Sequence, residues 1–270
     1  ALLLMNDMWS HDVANVIQVF GDNIILGGSP RCSLTLVART PDVRLDHGLS
    51  AAATPLDEAM VAPDLICVPG FVDPAATFGA TRDEIVTAES ATCASWLRSA
   101  HGAGAVVASL GTGAFLLAEA GLLDGVVCTT HHAYARLFSS LYPQARLARD
   151  LILTHDREHA VWTSAGGASG LDLCLSLLSS LAGAREAAAV SEAMSLWRPH
   201  PLESRQAAFG MPHTASDELA MSDIDTLCQA VRRDLAHPWT VGEMARRAGM
   251  SERSLQRRFL QSTGETPKSW

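Results

Sequence analysis

The chain has 270 residues, 48% of them hydrophobic, and 20 Lys and Arg against 29 Asp and Glu give it a formal net charge of −9. This length supplies one substantial core together with a small module. No apolar run approaches the roughly 20 residues of a membrane span and no signal peptide is visible, so we expect a cytoplasmic protein without a membrane partner. The six cysteines lack metal-binding spacing, which favours buried thiols over disulfides or a zinc site.

Residues 1–195 alternate between apolar runs and helical patterns. Short continuous apolar runs predict strands that are buried on both faces. The predicted strands lie at 1–5, 34–37, 65–68, 105–109, 126–130, 151–154 and 161–164. Helical spacing lies between them, as at 12–20 and 90–101, and this alternation predicts an α/β fold with a parallel sheet sandwiched by helices. A stretch rich in Pro, His, Ser and Gly predicts a linker over 196–216.

One junction, at 105–125, predicts more than a fold class. An apolar strand runs into Gly111-Thr112-Gly113 and then into a helix that ends at Gly121. A sharp strand-turn-helix of this kind is the setting of a nucleophile elbow. The start of its helix turns backbone N–H groups toward whatever lies above them.

Residues 240–264 predict two short amphipathic helices joined by a tight turn. Thr240 and Glu243 fit a capping box, Gly249 can adopt the left-handed turn conformation, and Ser251 fits the N-cap of the second helix. The pattern is that of a helix-turn-helix, whose second helix enters the major groove of DNA. Periodicity alone also allows a surface helical hairpin with solvated arginines.

The second of these helices has two distinct faces. Leu255 and Phe259, one turn apart, are predicted to face inward. The residues predicted to bind DNA are Arg253, Gln256, Arg257, Arg258 and Arg247. Arginine pairs bidentately with guanine and glutamine with adenine, which suits the first three to base contacts. The last two are better suited to phosphate contacts, which position a protein without reading sequence.

The charge distribution along the chain agrees with DNA contact through the C-terminal tail alone. Residues 228–270 hold eight basic and four acidic residues, whereas residues 1–216 hold twelve basic and twenty-one acidic ones. An acidic body is not expected to bind nucleic acid, so the basic tail would make the contact.

The amino-acid sequence of the tail resembles the first helix-turn-helix of AraC/XylS-type transcription regulators. The resemblance is carried by residues 239–241, 245–251, 255–259 and 263–267. It implies that Arg253, Gln256 and Arg257 reach base edges. It also implies a second helix-turn-helix, and the chain stops at Trp270, where the linking helix is expected to start. We therefore expect 217–270 to be the first half of a DNA-binding domain.

Residues 2 to about 190 resemble the PfpI-like, class I glutamine amidotransferase-like domain. The motifs are Asp12–Phe20, Val68–Gly70, Thr129–His131 and Thr163–Asp172. The resemblance implies a flavodoxin-like sheet for 1–195. Fused to an AraC-type tail, this domain gives the arrangement of GlxA-type transcriptional regulators.

The enzymes of that family carry a cysteine at the elbow, and the resemblance places Gly111 there. It places Gln18 where they have a glutamate, and His131 at the histidine after the elbow. Since Gly111 has no nucleophile and Gln18 cannot act as a base near neutral pH, we expect no enzymatic activity. The ligand site is predicted from Asp12, Gln18, Gly70, Phe71, Gly111, Thr112 and His131.

Two interpretations of the glycine at the elbow stay open. It can enlarge the cavity and expose N–H groups, which suits a carboxylate or another small polar ligand. It can also serve only a tight turn and close helix–strand packing. The resemblance favours a sensor of small nitrogen-containing metabolites. No cofactor is expected, and His131-His132 and His155 with His159 lack the third ligand of a metal site.

These features together predict a transcription regulator that responds to a small-molecule effector. The predicted partners are DNA, the effector, a second copy of the chain and, as a candidate, RNA polymerase. When bound to DNA, the protein is expected to be associated with the nucleoid. The resemblance also implies that Arg205–Phe209, after the sensor domain, packs against it. Two alternatives are a PfpI-type small-molecule hydrolase or hydratase, and a truncated, DNA-incompetent subunit that pairs with intact partners.

Overall fold

The computed structural model describes residues 1–21, 32–59, 63–71, 87–195, 206, 224, 227, 230–231, 237–263 and 266–268. The chain divides into two compact units, Ala1–Ala207 and Ala208–Trp270, and this boundary falls inside the predicted linker. The five described cysteines are free thiols, four of them buried, and Cys228 lies outside the described residues. Within the described residues, every helix is too short or too polar to span a membrane.

A seven-stranded sheet forms the centre of the first unit. The strands among the described residues are β1 Leu2–Leu4, β2 Leu36–Ala38, β3 Asp42–Arg44, β4 Ser50–Ala52, β5 Thr54–Pro55, β6 Leu65–Val68, β7 Val106–Leu110, β8 Val127–Cys128, β9 Arg146–Leu147, β10 Leu153–Asp156 and β11 Val161–Ser164. The large sheet has the order β10-β11-β7-β6-β1-β2-β5, while β3 with β4 and β8 with β9 form two small sheets. Its central strands are buried throughout, as the continuous apolar runs predict.

The order of the five inner strands confirms the flavodoxin-like prediction. Taken as β2-β1-β6-β7-β11, they run in the chain order 2-1-3-4-5, and every pair among them is parallel. The edge strand β10 differs, because it pairs antiparallel with β11. Only residues 157–160 connect these two strands, and a parallel crossover needs a dozen or more residues. The predicted strand at 126–130 lies in the small β8–β9 sheet and not in the large one.

Helices and short helical turns complete both units. The helices are α1 Ser10–Val16, α2 Ala88–Gly102, α3 Gly113–Glu119, α4 Ala135–Leu141, α5 Ala168–Ala182, α6 Ala184–Ala193, α7 Val241–Arg247 and α8 Glu252–Thr263, with a π-helical turn at Ile17–Gly21 and 3-10 turns at Asp46–Gly48 and His132–Tyr134. α2 begins before the predicted residue 90 because the Thr87 hydroxyl accepts a hydrogen bond from the Ser90 N–H at 3.1 Å.

The sheet has a switch in direction at β1. From β1 the chain continues to β2 and β5 on one side, and then returns to β6 on the other side of β1. In open α/β sheets the loops at the carboxyl ends of the strands separate at such a point and leave a crevice. The loops after β1, β6 and β7 therefore surround the place where a ligand is expected.

The second unit contains the predicted helix-turn-helix. The Thr240 hydroxyl accepts from the Glu243 N–H at 3.2 Å, Gly249 has a φ of +65°, and the Ser251 hydroxyl accepts from the Ser254 N–H at 3.2 Å. Both helices therefore begin, and α7 ends, where local capping chemistry predicts. Their small core consists of Ile224, Leu227, Val231, Met244, Ala245, Leu255 and Phe259.

Candidate functional site

The elbow follows β7 as the sequence predicts. Gly111 has a φ of +53°, a conformation that side chains with a Cβ rarely adopt, and α3 starts two residues later. Its N–H donates to the Ser164 carbonyl at 3.0 Å, and its carbonyl accepts from the Thr130 hydroxyl at 2.9 Å. Both backbone polar groups of Gly111 are therefore occupied by the protein, so its N–H is not available to an anionic ligand.

The loop after β11 packs against Gly111. A Cβ on Gly111 would lie 3.4 Å from the Cα of Gly166 and 3.6 Å from the carbonyl oxygen of Ala165, which are ordinary contact distances. A Cβ on Gly166 would lie 2.8 Å from the Cα of Gly111, which is too close. Close backbone packing therefore requires a glycine at 166, while at 111 the positive φ is what favours one.

A buried carboxylate lies beside the elbow. Asp12, on α1, is 1% exposed, and its two oxygens accept from the Gly70 N–H at 3.0 Å and the Gly167 N–H at 3.2 Å. Burial raises the pKa of Asp12 above its ordinary value, and the nearby His11 and these two backbone donors only partly offset that effect. A carboxyl group held in this way suits a ligand that donates hydrogen bonds or carries positive charge.

The acidic residue at the elbow is Asp12 and not the residue at position 18. A Cβ on Gly111 would point within 3.7 Å of the Asp12 Oδ2 atom. Gln18 is exposed, on the π-helical turn one and a half turns further along the chain. The prediction that Gln18 takes the place of the acidic partner at the elbow was therefore wrong, since the carboxyl group beside Gly111 belongs to Asp12.

Aromatic rings flank the loop after β6. Phe71 is half-buried, and its backbone N–H and carbonyl both bond to the Thr112 hydroxyl, at 2.8 and 2.7 Å. The Thr112 hydroxyl therefore holds Phe71 in place. Trp9 donates its backbone N–H to the Gly70 carbonyl at 2.8 Å, and its indole contacts Gly70. Trp9 was not among the predicted residues, although its position directly after β1 places it at the same edge.

His131 directly follows Thr130, whose hydroxyl donates to the Gly111 carbonyl at the elbow. Burial lowers the pKa of His131, and the electrostatic interaction with the adjacent His132 lowers it further. The imidazole is therefore neutral near neutral pH, and its Nδ1 accepts from the Ala133 N–H at 3.3 Å. The structure thus places His131 close to the elbow, without a carboxylate partner among its described hydrogen bonds.

Other candidate chemical groups have structural explanations. Burial raises the pKa values of the Cys67, Cys93 and Cys128 thiols to about 12, so these thiols stay protonated. The His155 ring stacks on Trp162 with centroids 3.6 Å apart. Searched over the described residues, the chain contains no group of three or more side chains arranged to hold a metal.

The second unit presents the predicted DNA-binding face. Leu255 and Phe259 are fully buried, whereas Arg253, Gln256 and Arg257 are exposed, at helical spacing along the other side of α8. The remaining two candidates, Arg258 on α8 and Arg247 on α7, are exposed as well, and the Arg247 guanidinium lies 5.7 Å from the centre of the Trp239 ring. That cation–π contact holds the side chain of Arg247, the last residue of α7, against Trp239, which precedes the helix.

Comparison with known proteins divides the chain in the same way. Residues 231–270 match the family model of bacterial regulatory helix-turn-helix proteins of the AraC family. The chain is 31% identical over 176 residues to the HTH-type transcriptional regulator CdhR of Pseudomonas aeruginosa, covering 65% of this chain and 50% of that protein. It is 30% identical over 200 residues to an isonitrile hydratase of Pseudomonas putida, covering 74% of this chain and 79% of the hydratase.

The solved structures agree on the fold. An AraC family transcriptional regulator from Pseudomonas putida superposes with a TM-score of 0.56 at 23% identity, covering 72% of this chain and 97% of that one. A THiJ/PfpI family protein from Pseudomonas syringae superposes with a TM-score of 0.56 at 19% identity, covering 92% of this chain and 89% of that one, so the fold is that of PfpI-like domains. The chain belongs to the family of the isonitrile hydratase, and it joins this PfpI-like domain to an AraC-type helix-turn-helix, which is the GlxA-type arrangement. The chain spans about half the length of the curated regulators it matches: 50% of CdhR and 55% of the HTH-type transcriptional regulator ArgR, both of Pseudomonas aeruginosa.

Proposed function

We propose that this protein binds DNA in a sequence-dependent manner and regulates transcription in response to a small molecule. The observation that carries the proposal is the two-faced helix α8, with Leu255 and Phe259 fully buried and Arg253, Gln256 and Arg257 exposed together. The match to the AraC family model and the regulators among its relatives support it. A cytoplasmic location on the nucleoid, a homodimer and contact with RNA polymerase belong to the same proposal.

The test is binding of the chain to DNA from upstream of its own gene, across a salt series. Arg257→Ala is expected to weaken specific binding by about 1–3 kcal/mol and to relax base preference at one position. Arg258→Ala is expected to weaken binding to all sequences alike and to lower the salt slope by about one. Arg185→Ala, an exposed arginine on α6, is the matched control. If Arg257→Ala and Arg258→Ala both bind like the parent protein, α8 does not contact DNA.

We further propose that the effector is a nitrogen-containing molecule that donates to Asp12. Support comes from the buried carboxyl group of Asp12, from the Trp9 indole beside Gly70, and from the half-buried Phe71 that follows Gly70 in the chain. Free amino acids and quaternary ammonium compounds are the probes, added at increasing concentration while the melting temperature is measured. A ligand at 100 times its Kd stabilises the native state by about 2.7 kcal/mol. Asp12→Asn is expected to remove the shift, and a shift that survives it would place the ligand elsewhere.

The same site argues against thiol-dependent catalysis, which we propose is absent. Gly111 has no side chain, and the described thiols with resolved pKa shifts stay protonated. The rival function, a hydrolase or hydratase, is favoured by the retained Asp12 carboxyl group and by the likeness to isonitrile hydratase. Gly111→Cys would place a thiol beside Asp12, so turnover of isonitriles by this variant but not by the parent protein supports the proposal. Turnover by the parent protein refutes it.

A further inference from the structure

Gln206 is bound to the first unit through its backbone and its side chain. Its N–H donates to the Asp150 carbonyl at 2.6 Å, and its Oε1 accepts from the His132 N–H at 2.9 Å. Its Nε2 lies within hydrogen-bond distance of four oxygens, the carbonyls of Thr130 at 2.9 Å, Leu151 at 3.0 Å and Arg149 at 3.3 Å, and the Thr129 hydroxyl at 3.2 Å. An amide nitrogen has two hydrogens, and the carbonyls of Thr130 and Leu151 are the two nearest acceptors for them. Every hydrogen-bonding group of the side chain is therefore engaged.

These contacts identify Gln206 as more than a surface residue. An N–H faces its oxygen and carbonyls face its nitrogen, so only one orientation of the amide satisfies all partners. Thr130 is fully buried, and its carbonyl would lose this donor if the amide moved away. Leaving a buried carbonyl unpaired is unfavourable, so the amide and the loop at 129–132 hold each other in place.

Thr130 joins this amide to the elbow. Its hydroxyl donates to the Gly111 carbonyl at 2.9 Å, while its own carbonyl accepts from Gln206 at 2.9 Å. One buried residue therefore contacts the elbow with one group and the connecting segment with another. A displacement of Thr130 from either side changes the hydrogen bond on the other side.

We infer that Gln206 is a positioning residue that couples the elbow site to the segment leading to the helix-turn-helix. Docking of Gln206 favours the arrangement of Thr130 in which its hydroxyl bonds to Gly111. A ligand that displaces this loop weakens the docking, and by thermodynamic linkage loss of the docking changes the affinity for that ligand equally. The inference rests on the proposed function only for its consequence, which is that the coupling controls DNA binding. The coupling between Gln206 and the elbow does not depend on that function.

The first arm of the test perturbs the elbow side and measures the docking. The peptide bond between Arg205 and Gln206 is a trypsin site, and Gln206 must undock before it is cleaved. Thr130→Val removes the hydroxyl that bonds to Gly111, whereas Thr130→Ser keeps it. Loss of one hydrogen bond is expected to speed native-state cleavage at this bond about 2- to 10-fold in the Val variant only.

Cleavage after Arg185, on α6, distinguishes local undocking from global unfolding, because unfolding would speed both cuts. Equal cleavage after Arg205 in the Val and Ser variants overturns the inference.

The second arm perturbs the docking and measures the elbow. In the full chain, Gln206→Ala is expected to speed hydrogen exchange of the peptide that contains the Gly111 N–H, which bonds to Ser164. Gln144→Ala, at an exposed glutamine, is the control. Faster exchange confined to the peptide around His132, with the elbow unchanged, would make Gln206 a local clamp and refute the coupling. Neither arm uses DNA, so a failed DNA-binding assay leaves both results interpretable.

Discussion

Substituting Gly166 tests whether the elbow is held by direct backbone contact. Gly166 has a φ of +83°, and a Cβ there would lie 2.8 Å from the Gly111 Cα and 3.0 Å from its nitrogen. Gly121 is the matched control, because its φ is +72° and a Cβ there would meet nothing within 4 Å. Both Ala variants bear the strain of a left-handed backbone, roughly 1–2 kcal/mol. Only Gly166→Ala adds overpacking, about 1–3 kcal/mol.

Scanning calorimetry measures the difference. The first unit has the larger unfolding enthalpy, because enthalpy scales with residue number. For a domain of its size, about 1 kcal/mol corresponds to roughly 2–4 °C, so Gly166→Ala is expected to melt about 2–12 °C below Gly121→Ala. Equal melting temperatures for the two variants would show that only the backbone conformation requires glycine, and would refute the contact between the two loops.

Three further predictions concern the helix cap and two titrating groups. Thr240→Ala removes the cap of α7 and is expected to destabilise the second unit by about 1 kcal/mol in thermal melts, whereas Thr240→Ser retains the cap. The folded-state pKa of Asp12 is raised, so its stabilising contribution is present below about pH 4 and is lost as pH rises through the folded pKa. Urea unfolding is therefore expected to favour Asp12→Asn over the parent protein increasingly from acidic to neutral pH, and a constant difference contradicts this. The pKa of His131 is lowered, so stability is expected to fall as pH drops below about 6.5, and His131→Gln to reduce that fall.

The helix-turn-helix could be predicted almost entirely from the sequence. Its signals are local: a hydroxyl cap three residues before its donor, a glycine at the turn, and Leu255 and Phe259 one helical turn apart. Each of these contacts joins residues a few positions apart, so chain geometry alone decides it. The strands of the parallel sheet were predictable for a similar reason, since burial on both faces produces continuous apolar runs.

The candidate ligand site was predicted only in part. Gly111, Gly70, Phe71, Thr112 and His131 follow strands or begin helices, and the sequence placed them near one sheet edge. Whether they bind a ligand remains a prediction.

The sequence by itself determined the alternation of strands and helices, the elbow turn and the two faces of α8, because each depends on neighbours within a few residues. Only the tertiary structure decided that Asp12 is the acid at the elbow, through a hydrogen bond to Gly167, 155 positions away in the chain. It also decided the antiparallel edge of β10 and the docking of Gln206 on Thr130, 76 positions away. Residues so distant meet because of the order of the strands and the packing of the loops at their ends. The periodicity of apolar residues along the chain predicts neither the strand order nor the loop packing.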